Sequence, residues 1–94
     1  MNKKPICLIT GLREGTGGHT AIKFASAGYR IAMIARTKER LTRYEKYLIG
    51  SRGYVCDVAN IELLQETCKK IKKEMGSPHI LIHNAVKGNF EKLL

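Results

Sequence analysis

The sequence predicts an α/β chain built on one parallel sheet, with spatial strand order 3-2-1-4 and helices on both faces. Three observations carry this expectation: four short apolar runs alternate with segments of helical spacing, glycines crowd the turn after the first run, and a glycine stands at the end of each helical segment. Strands that alternate with helices form right-handed crossovers, and such units build parallel sheets.

Residues 5–9, Pro5-Ile6-Cys7-Leu8-Ile9, are apolar and partly β-branched, which suits a strand buried on both faces. In residues 10–17, Thr10-Gly11-Leu12-Arg13-Glu14-Gly15-Thr16-Gly17, the chain leaves that strand, turns on glycines and enters a helix. Residues 20–27 show helical spacing at Ala21, Phe24 and Ala25, with Gly28 placed as a C-terminal cap. Residues 29–35 read as a second buried strand, and Arg36 stands at its carboxyl end. Residues 38–49 carry Leu41, Tyr44 and Leu48 on one face and close on Gly50.

Residues 52–56 form a short third strand that Asp57 ends. Asn60 is a good N-cap for a helix running to about Met75, with Leu64, Cys68, Ile71 and Met75 on one stripe and Gly76 past its end. After the Ser77-Pro78 break, residues 79–83, His-Ile-Leu-Ile-His, read as a fourth buried strand. Asn84-Ala85-Val86 follow, and residues 87–94 can begin another helix.

Composition narrows the classes. With 94 residues the chain has room for one core and one domain. The formal net charge of +9 admits a nucleic-acid partner but does not require one: Lys69, Lys70, Lys72 and Lys73 mostly take the outer face of a helix, and Trp is absent. Cys7, Cys56 and Cys68 are widely spaced with no C-x-x-C pair, so they read as reduced, buried thiols, and the expected location is the cytoplasm. The apolar run behind Lys3 and Lys4 is too short for a signal-peptide core or a membrane span.

The glycine turn has a chemical use. The first N–H groups of a helix lack internal partners, and the helix dipole places partial positive charge there, so an anion fits. Gly11 permits the tight turn, Gly15 lets a pyrophosphate approach the main chain, and Gly17 lets the helix pack closely on the strand. Ligands of open parallel sheets bind beyond the carboxyl ends of the strands where the strand order reverses, here between strands one and four. Gly11, Arg36, Asp57 and Asn84 follow four different strands and converge on that crevice. A plain strand-to-helix connection remains the alternative for the turn, a solvated charge for Arg36 and Arg13, and a surface or strand-end role for His19, His79 and His83.

Together these residues resemble the short-chain dehydrogenase/reductase family. Its fingerprint T-G-x-x-x-G-x-G is matched by Thr10, Gly11, Gly15 and Gly17, its Asp near the adenine ring by Asp57 followed by Val58, and its N-A-G by Asn84 and Ala85. The resemblance implies a Rossmann-like dinucleotide site made by Gly11, Arg13, Gly15, Thr16, Gly17, Arg36, Asp57, Val58, Asn84 and Ala85. Ala35-Arg36 offers a guanidinium where NAD-preferring relatives carry a carboxylate, which implies NADP(H) over NAD(H), with Arg13 near the same phosphate. Thr16 stands where the family has a bulky aliphatic residue, and Val86 replaces the glycine of N-A-G.

The family's catalytic Ser and Tyr-x-x-x-Lys pair have no match. Tyr29, Tyr44, Tyr47 and Tyr54 are followed four residues on by Met33, Leu48, Ser51 and Val58. The resemblance covers the whole chain and roughly the first third of a typical member, truncated after strand four, so no catalytic residue is assigned. The first reading is the NADP(H)-binding part of an oxidoreductase acting on a carbonyl or alcohol, without turnover of its own. The alternatives are a non-catalytic nucleotide-binding or interaction module that self-associates through the strand-four edge, and a shortened gene product without activity.

Overall fold

The computed structural model describes residues 4–11 and 16–83, with the backbone alone for residues 16–18. The elements are β1 Ile6–Thr10, α1 Thr16–Ser26, β2 Arg30–Ala35, α2 Lys38–Tyr47, β3 Arg52–Val55, α3 Ile61–Glu74 and β4 Ile80–His83. The four strands form one parallel sheet in the order β3-β2-β1-β4. The expected topology and the seven elements from β1 to β4 are present, while the helix expected within residues 87–94 lies outside the described residues.

Side chains of a strand alternate between faces, and the core divides accordingly. Cys7, Ile9, Ile31, Met33 and Ala35 share one face with Ala21 of α1 and Leu41 of α2. Ile6, Leu8, Ala32 and Ile34 share the other with Leu64 and Ile71 of α3. Helices therefore cover both faces. Because β1 and β2 lie inside the sheet and are covered on both sides, their apolar runs have no polar alternation to interrupt them.

The caps form where expected. Asn60 Oδ1 accepts from the Leu63 N–H at 3.0 Å and starts α3. Gly76, at φ 122°, turns the chain beyond α3, a backbone region that side chains rarely adopt. The C-terminal end of α3 is also tied sideways, since Arg30 donates to the Met75 carbonyl.

Two expectations are corrected. Residues 79–83 do not form a fully buried strand: among the described residues β4 pairs with β1 alone, and Leu81 is 55% exposed. Ile80 and Ile82 pack against the cluster that holds Cys7, Ile9 and Ala21, but among the described residues no helix covers Leu81 on the α3 side of the sheet. Cys68 is only partly buried, whereas Cys7 and Cys56 are buried and all three are free thiols. Burial pushes the Cys7 thiol up to about 11, so it stays protonated and inert at neutral pH.

Smaller differences lie at boundaries. α1 starts at Thr16, four residues before apolar spacing becomes visible, because a first turn rich in glycine has few side chains to display it. α2 ends at Tyr47 rather than at residue 49, since Leu48 already has an extended backbone.

Candidate functional site

Sheet register fixes where the strands end. Thr10 pairs with Ile34 on one side and His83 on the other, and Ile34 pairs with Tyr54, so one row crosses all four strands near their carboxyl ends. One residue beyond it stands Gly11, with φ 67°, the left-handed conformation that a glycine takes without strain. Two residues beyond the row stands Arg36.

Three helix amino ends follow closely on three of these strand ends. α1 begins at Thr16 after β1, α2 at Lys38 after β2, and α3 at Ile61 after β3. Each adds partial positive charge at the same end of the sheet, and the first turn of α1 contains no acidic residue. A phosphate-bearing ligand suits that potential.

Arg36 is exposed, and no hydrogen bond or ion pair engages it among the described residues. Beside it, Thr37 is the N-cap of α2, but its hydroxyl makes no cap hydrogen bond. Thr37 was missed at the sequence level, although a threonine just ahead of a helical segment is a recognisable signal. Arg36, Thr37 and the amino end of α2 together offer a guanidinium, a hydroxyl and backbone N–H groups to one anion.

Asp57 is exposed, and its Oδ1 accepts from the Ala59 N–H at 3.0 Å. The Asn60 N–H donates to the Asp57 carbonyl at 2.9 Å, so this residue also shapes the turn into α3. Val58 is half-buried and packs against the core beneath α3. The fold thus brings Gly11, Arg36 and Asp57 to one rim and turns the Val58 side chain inward. Thr16 and Gly17 lie in the first turn of α1, while Arg13, Gly15, Asn84 and Ala85 fall outside the described residues.

The histidines are accounted for. His19 is exposed on α1. At the amino end of the sheet, His79 Nδ1 accepts from the Ile6 N–H at 3.1 Å. At the carboxyl end, His83 Nδ1 is hydrogen-bonded to Thr10 Oγ1, a contact that joins the strand ends flanking Gly11. Burial lowers the pKa of His83, which favours the neutral imidazole. Among the described residues no group of His, Cys, Asp or Glu is placed to hold a metal ion.

A parallel sheet with this strand order, a left-handed Gly11 after β1 and an anion-attracting rim at the reversal point defines a dinucleotide-binding α/β fold. More narrowly, the chain belongs to the short chain dehydrogenase family, which matches it over residues 5–93. A short chain dehydrogenase from Bacillus anthracis superposes with TM-score 0.81 at 32% identity, covering 89% of this chain and 36% of that one. L-Sorbose reductase from Gluconobacter frateurii, solved with NADPH and L-sorbose, gives TM-score 0.78 at 30% identity over 92% of this chain and 35% of that one. An NAD+-bound xylitol dehydrogenase gives TM-score 0.78 at 30% identity over 82% and 31%. The chain spans about a third of the length of the curated relatives it matches, from 26% to 35% in the cases compared. No helix among the described residues is long and apolar enough to cross a membrane.

Proposed function

We propose that residues 1–94 are the nucleotide-binding part of an NADP(H)-dependent oxidoreductase acting on a carbonyl or alcohol. The observation that carries the cofactor preference is Arg36, an exposed guanidinium without an ion-pair partner among the described residues, beside the unused hydroxyl of Thr37 and the amino end of α2. An acidic residue here would accept from both ribose hydroxyls; a guanidinium instead pairs with a 2′-phosphate.

The residues present suit such a ligand. Gly11 leaves room for a main-chain approach, the amino end of α1 would hold the pyrophosphate, and Asp57 would hold the adenine end of the ligand. Asn84 and Ala85, which follow β4, take the nicotinamide side in this reading, with Arg13, Gly15, Thr16 and Gly17 along the phosphates. Bound there, the nicotinamide supplies or accepts a hydride. The chain's own residues bind and orient it, and no tyrosine here has, four residues on, the lysine that would lower its pKa and fit it to move the proton. Binding without turnover is therefore expected. The free thiols suit the cytoplasm, and exposed Leu81 on β4 suits self-association through that strand.

Thermal unfolding with NADPH and with NADH tests the proposal, because a ligand that binds only the folded state raises its stability. NADPH is expected to raise Tm more than NADH, and Arg36→Glu is expected to reverse that order. A cooperative melt that neither cofactor shifts would remove the function and leave the fold.

A further inference from the structure

β3 is the outermost strand on its side of the sheet, and among the described residues no strand pairs with its far edge. Along a strand, N–H groups point alternately to the two neighbours. The Cys56 N–H donates inward to the Ala35 carbonyl at 2.9 Å, so the N–H groups of Gly53 and Val55 point outward. A row of outward donors and acceptors is a template on which another chain can pair.

The molecule meets one of those donors itself. The Gly53 N–H donates to Glu45 Oε2 of α2 at 2.7 Å. The local packing arranges this contact. Leu41 and Glu45 are one helical turn apart and lie on one face of α2, and Leu41 is seated on Gly53. A Cβ at Gly53 would stand 2.7 Å from the Leu41 Cβ, so glycine alone lets α2 come this close to the strand. Glu45, one turn on, then reaches over the edge. From the other flank, Glu74 Oε1 of α3 accepts from Arg52 at 3.0 Å and from the Tyr54 hydroxyl at 2.8 Å. A groove of about 740 Å³ runs along this edge, with Glu45, Gly53, Val55, Leu63 and Glu74 in its wall.

We infer that Glu45 is an edge guard, whose carboxylate occupies the Gly53 donor through which β3 of a second copy would pair. The excluded partner is a second copy because the same four residues present the same donors and acceptors. Antiparallel pairing about a two-fold axis would satisfy both edges at once. Such pairing would also cover Val55, 54% exposed, and Leu63, 39% exposed, which are otherwise left to solvent.

The test compares self-association of the wild type, Glu45→Gln, Glu45→Ala and Glu45→Ala/Val55→Pro by sedimentation over a range of concentrations. Glu45→Ala is expected to raise the association constant about ten-fold, the size of one hydrogen bond to a charged group. Glu45→Gln keeps an acceptor oxygen without the charge and is expected to fall between wild type and Glu45→Ala. Proline at Val55 removes an outward N–H that an edge strand can spare and is expected to abolish the gain. That last variant also separates pairing through β3 from any association through β4. No increase in Glu45→Ala, or an increase that Val55→Pro leaves intact, would overturn the inference. Amide exchange at Gly53 in the wild type checks the guard without any substitution: slow exchange supports it, and exchange at the unprotected rate overturns it.

Discussion

The inner strands β1 and β2 are buried along almost their whole length, whereas the outer strands β3 and β4 each leave an apolar side chain more than half exposed, Val55 at 54% and Leu81 at 55%. The two pairs are held by different means. Inner strands gain from apolar burial on both faces. Outer strands gain less from burial and rely more on polar ties: Glu45 to the Gly53 N–H, Glu74 to Arg52 and Tyr54, and His79 to the Ile6 N–H. An inner strand therefore tolerates little change in volume, and an outer strand little loss of a hydrogen-bond partner.

The largest expected effect lies inside. Ile34 on β2 is fully buried against α3, and Ile34→Ala is expected to cost about 2–5 kcal/mol in urea unfolding, through lost burial and the cavity left behind. A cost below about 1 kcal/mol would erase the distinction between inner and outer strands.

Gly53→Ala comes next, on the outer strand β3. The added Cβ would meet the Leu41 Cβ at 2.7 Å and push α2 away, with an expected loss of about 1–3 kcal/mol. A neutral result would mean that α2 shifts freely over β3.

Glu74→Gln is expected to act less strongly and only over part of the pH range. The Tyr54 hydroxyl, with Lys70 and Arg52 nearby, holds the Glu74 carboxyl below its usual value of 4.5. A carboxylate whose pKa is lower folded than unfolded contributes stability above the unfolded value and loses it as pH falls through the folded one. The Tm difference between wild type and Glu74→Gln should be present at neutral pH and close below about pH 4.5. A difference that persists in acid would show that charge is not its source.

Leu81→Ser is the smallest. With half of Leu81 already in water, its effect on unfolding is expected to lie within about 0.5 kcal/mol. A larger loss would show that β4 has cover on its α3 side.

Much of this was legible in the sequence, for local reasons. The apolar runs, the glycine after each helix and the Asn60 cap are short-range signals, and each element lies within a few residues of its expected place. Residues 79–83 misled because an apolar run reports what a strand can bury, not whether both faces are covered. At the site, Gly11, Arg36 and Asp57 were legible as strand-end residues. Thr37 escaped notice because a hydroxyl beside a helix start is commonly spent on the cap, and only the structure shows that this one is not.

By itself the sequence determined the order and type of the elements, the strand order that right-handed crossovers impose, and the chemistry presented at the strand ends. These follow from backbone preference and apolar period, which act over a few residues. Only the tertiary structure decided that Leu81 of β4 stays exposed, that His83 meets Thr10 across 73 residues of chain, and that Glu45 reaches the N–H of Gly53. Such contacts depend on how closely helix and sheet approach, a distance set by packing across the whole core and by no local stretch of residues.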